Sequence, residues 1–291
     1  MKFPRPHILS LEDVDIALYL AGPEDGPPII LLHGWPEMAY SWAHQIGPLA
    51  NAGYRVIAVD LRGFGHSSVP KKVTDYGIEK LVGDVQGVMN ALEIRRAVLC
   101  GHDWGGIIVW HAARMIPERV LGVISICTPH VKQPPADPIA IFNKRHGKDH
   151  YFVDFQELKT PEALFESDPL AFFRMMFRTV PEGAKPSSEM FHLMPKFREY
   201  LAAGAPPLAG AVMSDADLQV YAGAFVKSGF FGGVNLYRNT GANWQFGKTL
   251  PEEIDQPSLM ISAERDLFLP PSATYPMVDM IPDLERYTVE A

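Results

Sequence analysis

The chain has 291 residues, 47% hydrophobic and 21% charged, a composition that suits one globular core or a core with an insertion. A formal net charge of −8 with no cluster of Lys or Arg argues against nucleic acid as a partner, because phosphate binding needs a concentrated basic face. No apolar run reaches the ~18 residues of a membrane span and no signal-peptide core opens the chain, so no membrane partner is expected.

Short apolar runs bounded by turn residues recur through the first half, at 29–32, 56–59, 97–100 and 120–127. Unbroken rather than alternating apolarity marks strands buried on both faces, the habit of a parallel sheet. Cys100 and Cys127 lie in these runs and read as buried thiols of a reducing compartment, which makes the cytoplasm the expected location. Between the second and third runs, Ile78, Leu81, Val82, Val85, Val88, Met89 and Leu92 step by three or four and predict an amphipathic helix. Strand and helix alternating over short connections predict an α/β fold built on a mostly parallel, doubly wound sheet.

From Val131 to Gly247 that rhythm stops. Pro134, Pro135 and Pro138 open the region, Pro181, Pro186, Pro195, Pro206 and Pro207 interrupt it, and its helix-like pieces are rich in Phe and Met. The stretch far exceeds the ~30-residue unit that joins two parallel strands. It is therefore expected to be a helical cap inserted over one edge of the sheet, with an independent second domain as the other reading. Leu259 to Ala263 resumes the strand pattern and Arg286 to Glu290 is a further candidate strand. The expected organisation is a core of 1–130 and 248–291 with a cap of 131–247.

The most informative segment runs from the apolar Ala97-Val98-Leu99-Cys100 into Gly101-His102-Asp103-Trp104-Gly105-Gly106 and on into a helical pattern. Small residues around the turn permit a sharp, strained strand-to-helix elbow that holds its central side chain out at the strand end. That position usually carries serine; here it carries Asp103, a candidate nucleophile. An Asp before a helix also serves as an N-cap, and this reading stands beside the first. The helix N-terminus favours the carboxylate, and the Trp104 N–H can face charge developing on the acylated carboxyl. Ile29 to Leu32 leads into His33-Gly34-Trp35-Pro36-Glu37, a turn that in this fold class supplies the other oxyanion N–H, that of Trp35. His33 has a structural reading as good as a chemical one.

Gly-His-Asp-Trp-Gly-Gly at 101–106 and His-Gly-Trp-Pro-Glu at 33–37 resemble the soluble, carboxylate-nucleophile epoxide hydrolases of the α/β-hydrolase fold. Asp60-Leu61-Arg62-Gly63-Phe64-Gly65-His66-Ser67 is similar to the family's turn after the next strand, and the likeness extends from about Pro27 to the end of the chain. It implies an epoxide opened to a vicinal diol through an ester on Asp103, with a small apolar epoxide and water as partners and with no metal or organic cofactor. Two cap tyrosines would donate to the epoxide oxygen, and Tyr151 and Tyr237 lie at the matching motifs, although an aromatic-rich cap could simply pack them. The resemblance makes Asp266 the acid that orients a histidine base, Glu264 being its rival, and places Trp35, Pro36, Trp104 and Phe155 at the substrate pocket.

No histidine follows His192. The family's base follows a final strand that Leu284 to Ala291 resembles, so the C-terminal part of the core is expected to be incomplete and the chain as written to turn over poorly. His102 and His130 are imaginable substitutes, His102 discounted because successive residues at a strand end point apart. A haloalkane dehalogenase shares the fold and the Asp-Trp pair, but the family often has Asn where Trp35 stands, and halide chemistry leaves the tyrosines unexplained. A non-catalytic small-ligand-binding homologue is the alternative of another class. A serine esterase would need a serine at the elbow. Oligomeric state, monomer or homodimer, is left open.

Overall fold

In the computed structural model, which describes residues 3–179, 183–185 and 187–290, the unbroken apolar runs become the interior of one sheet. Its strands are β1 (His7–Ser10), β2 (Asp15–Ala21), β3 (Pro28–Leu32), β4 (Arg55–Asp60), β5 (Ala97–His102), β6 (Val120–Ile126), β7 (Ser258–Ala263) and β8 (Leu284–Val289). They lie in the order β1-β2-β4-β3-β5-β6-β7-β8. Pairings from β4 through β8 are parallel, while β1 with β2 and β2 with β4 are antiparallel. The mostly parallel, doubly wound sheet is thus present, with two N-terminal strands that the sequence patterns did not single out.

Helices α1 (Ala43–Asn51), α2 (Ile78–Ala91) and α3 (Trp104–Met115) fill the crossovers of the first half. The predicted apolar stripe is the buried face of α2: Ile78, Leu81, Val82, Val85, Val88 and Met89 are all almost fully covered. One core cluster gathers α2, α3 and the helices beyond β6; a second, smaller one lies around Trp42 and Ile46 on the other side of the sheet.

Between β6 and β7 run α4 (Pro138–His146), α5 (Tyr151–Asp154), α6 (Thr160–Glu166), α7 (Pro169–Met176), α8 (Leu193–Ala202), α9 (Asp215–Ser228), α10 (Phe231–Arg238) and α11 (Thr240–Gly247). Phe155, Phe165, Phe172, Phe173, Phe197 and Phe230 are fully buried among them, so the Phe-rich pattern forms the interior of this layer. Pro181, Pro186 and Ala291 lie outside the described residues.

Strand order places the site. From β3 the chain moves to β4 on one side, then crosses back to β5 on the other, so β3 and β5 are neighbours, with Leu32 opposite Gly101. Where the winding direction reverses, the loops leaving the two strand ends part, and a crevice opens between them. Trp35 leaves β3 there and Asp103 leaves β5.

Candidate active site

At the end of β5 the backbone of Asp103 takes φ 51° and ψ −117°, a left-handed conformation that L residues rarely adopt. The surrounding glycines allow it by removing side chains that would collide. A Cβ on Gly101 would lie 2.2 Å from the Gly105 carbonyl, one on Gly105 2.0 Å from the Leu32 oxygen, and one on Gly34 2.3 Å from Asp103 Cβ. The Thr128 hydroxyl donates to the Asp103 carbonyl at 3.0 Å and braces the elbow from the end of β6.

Although Asp103 occupies the N-cap position of α3, its side chain makes no capping bond. Its Oδ1 instead accepts the Trp35 N–H at 2.7 Å, and the Trp104 N–H also hydrogen-bonds the carboxyl. Burial pushes this carboxyl up to about 6, while the His102 charge and these two N–H groups pull it back. It is a carboxylate at neutral pH, held by two converging donors.

His33 is fully buried and accounted for structurally: its Nε2 accepts the Leu61 N–H at 3.0 Å, which leaves Nδ1–H to donate to the Gly34 carbonyl at 2.7 Å. Burial holds its pKa below the usual value.

His102 has a partner that strand alternation did not foresee. Its ring does not turn idly away but pairs through Nδ1 with Glu37 Oε2 at 3.1 Å, and Glu37 Oε2 also accepts the Gly34 N–H at 3.0 Å. Burial opposes both charges, yet the imidazolium holds Glu37 down to about 2, and the carboxylate, aided by Cys127 and Asp103, holds His102 well above its usual pKa. A ring kept in its charged form cannot take up a proton, so His102 is poorly suited to serve as a base. His130 is committed elsewhere, with Nε2 against the Glu252 carbonyl at 2.8 Å. Glu37 was missed as a site residue; its place in the His-Gly-Trp-Pro-Glu turn was the signal that could have found it.

The layer of helices brings Tyr151 and Tyr237 together. Their ring centroids are 5.4 Å apart at 75°, and Tyr237 lies 5.6 Å from the Trp35 ring and 5.1 Å from that of Trp104, which hydrogen-bonds to it. Phe155 closes the group, 5.3 Å from Trp35 and 5.1 Å from Tyr237, and Pro36 is buried alongside Trp35. Burial raises the pKa of both tyrosines, and the Asp103 charge raises both further, so both are neutral phenols within the field of the carboxylate.

Asp266 sits just beyond β7, its Oδ1 accepting the N–H groups of Phe268 at 2.8 Å and Leu269 at 2.9 Å, and its charge reaches Tyr151. The rival Glu264 is exposed, with its backbone N–H donating to the Val289 carbonyl at 2.9 Å. Among the described residues there is no group of three or more His, Cys, Asp or Glu arranged to hold a metal ion.

Residues 27–291 match the α/β-hydrolase fold family. The chain is 35% identical over 273 residues to epoxide hydrolase A of Mycobacterium tuberculosis, covering 91% of this chain and 84% of that protein. The chain belongs to the epoxide hydrolase family of the α/β-hydrolase fold. It is 38% identical over 277 residues to the bifunctional epoxide hydrolase 2 of Sus scrofa, covering 93% of this chain but only 48% of that protein, so it spans about half the length of such relatives. The crystal structure of epoxide hydrolase A from Mycobacterium thermoresistibile superposes with a TM-score of 0.88 at 29% identity, covering 98% of this chain and 91% of that one. Among the described residues, no helix is long and apolar enough to cross a membrane.

Proposed function

We propose that this chain opens small apolar epoxides by attack of the Asp103 carboxylate on a ring carbon. The observation that carries the reading is the pairing of two neutral tyrosines, both within the field of a carboxylate gripped by the Trp35 backbone N–H. A carbon–oxygen bond forms from Asp103 as the ring C–O bond breaks, and the alkoxide left behind takes a proton from Tyr151 or Tyr237. Buried tyrosinate is disfavoured, so the donor recovers its proton before the next turnover. Water then attacks the ester carbonyl, whose developing charge faces the N–H groups of Trp35 and Trp104. That step needs a general base to take the water's proton, and Asp266 is the acid we assign to orient it. Residues 131–247 act as the lid that carries the tyrosines, with Trp35, Pro36, Trp104 and Phe155 lining the substrate pocket. Both cysteines are free, which suits a cytoplasmic enzyme. The relatives named above favour neither a haloalkane dehalogenase nor a non-catalytic binder.

The test uses a small aryl epoxide with enzyme in excess, following epoxide loss and diol release together with the intact protein mass. Epoxide loss with an adduct of one epoxide mass, or with diol, is expected, and Asp103→Ala should show neither. Tyr151→Phe and Tyr237→Phe should each slow epoxide loss by roughly 10- to 100-fold. Unchanged epoxide loss in Asp103→Ala would remove Asp103 as the nucleophile.

A further inference from the structure

Tyr151 begins α5, a helix of only four residues. A single turn is far too short to sustain itself, so whatever fixes Tyr151 must come from outside its own ladder. At the N-terminal end His150 Nδ1 accepts the Phe152 N–H at 3.2 Å. At the other end the tie is Gln156. Its backbone N–H donates to the Val153 carbonyl at 3.1 Å, which joins it to the same turn, and its side-chain Nε2 donates to the Phe152 carbonyl at 2.9 Å.

The same Nε2 also donates to the Tyr237 carbonyl, at 3.1 Å. A primary amide has two hydrogens, and here each has its own acceptor, one on α5 and one on α10. Both partners are carbonyl oxygens, so only the NH₂ end of the side chain can face them. A single group thereby links the backbone of the turn carrying Tyr151 to the backbone of Tyr237 itself. Arg238 strengthens the join: it pairs with the nearly buried Glu162 and donates to the Glu157 carbonyl, the residue next to Gln156. Phe152 packs edge-on against the Tyr237 ring with centroids 4.9 Å apart, so a loosened tie would move both tyrosines at once.

We propose that Gln156 is a positioning residue that sets the spacing of the two tyrosine hydroxyls over Asp103 by donating one amide hydrogen to each of their helices. This inference rests on the epoxide-opening reading. Two donors can share one ring oxygen only at a narrow range of separations, and hydrogen-bond strength falls steeply with angle. An amide that merely satisfied local backbone would matter to stability alone. Gln156 matters to the reaction only through the pair of hydroxyls.

The variants are Gln156→Met, which keeps length and neutrality but has no donor, and Gln156→Glu, which turns a carboxylate toward two carbonyl oxygens. Each is compared in the wild-type and Tyr237→Phe backgrounds, by single-turnover loss of a small aryl epoxide with enzyme in excess and by thermal melting. In the wild-type background a folded variant should consume epoxide at least about ten-fold more slowly. With the Tyr237 hydroxyl already gone, the same change should slow it by less than about two-fold, because no second donor is left to align. Either variant suffices if the other fails to fold. An unchanged rate, or the same proportional slowing in both backgrounds, would overturn the proposal. A wild-type protein that consumes no epoxide and forms no Asp103 adduct would overturn the reading of the site, and this inference with it.

Discussion

Trp35 and Asp103 meet across the ends of two neighbouring parallel strands, the backbone N–H of Trp35 donating to the carboxylate at 2.7 Å. The contact explains how a carboxyl group in a largely desolvated crevice is still ionised at neutral pH. Burial alone would favour the acid; directed N–H groups and a nearby imidazolium bring the balance back to about 6.

Only the carboxylate form of Asp103 can attack, so epoxide consumption should rise with pH through about 6 and level off above it. The same displacement has a stability consequence of opposite sense. The folded protein keeps this proton up to about pH 6, whereas the unfolded chain gives it up near ~4. Stability from this group is therefore full below ~4 and lost as pH rises through 6, at a cost of about 2 kcal/mol at pH 7 for a half-buried carboxyl. Asp103→Asn should abolish epoxide loss yet raise the melting temperature at pH 7 by several degrees, with the gain gone at pH 4. A melting temperature lowered at pH 7 would contradict the desolvation account.

Glu37 and His102 form the next layer behind Asp103. Glu37→Gln should cost about 1–3 kcal/mol by leaving the imidazole without its charged partner, toward the low end because the ring is 35% exposed. It should also shift the reaction. His102 lowers the Asp103 pKa more strongly than Glu37 raises it, and a neutral partner weakens the hold on the ring's proton. The rate midpoint should then move above about 6, a displacement that a purely structural pair would not produce. Wild-type stability from the Glu37 carboxylate is full above the ordinary carboxylate range and declines progressively as pH falls toward about 2, so the variant's deficit should shrink through acid and be gone below that pH.

Gly34 leaves no room for any side chain. A Cβ there would stand 2.6 Å from Asp103 Oδ1, against the carboxylate itself. Gly34→Ala should push the carboxylate off the Trp35 N–H and slow epoxide loss by about 100-fold or more. Crystallography of the variant, or a shifted pH midpoint for Asp103, would check that the carboxyl has moved.

Much of this site was legible in residue order. Strand-turn-helix punctuation at Gly101, Gly105 and Gly106 identifies an elbow because only a tight turn needs so many absent side chains, and the steric clashes at those positions are the physical form of that signal. Asp266 was preferred to Glu264 through its resemblance to the family's orienting acid. The unbroken apolar runs announced a buried parallel sheet because residues covered on both faces cannot alternate. The two antiparallel strands at the N-terminus were not singled out. Nor was the pairing of His102 with Glu37 foreseen, because strand alternation describes where a side chain leaves the backbone, not what it reaches.

What the sequence determined by itself is local: which runs become strands, which face of α2 is buried, where the backbone must turn sharply, and which side chain stands at the turn. These follow from near-neighbour sterics and from the period of hydrophobic burial, both written along the chain. Only tertiary structure decided that β3 and β5 lie side by side, that Glu37 pairs with His102, and that Gln156 ties the turn of Tyr151 to the helix of Tyr237. Each of these joins groups far apart in sequence, and their separation is fixed by how the layers pack rather than by any pattern within either segment.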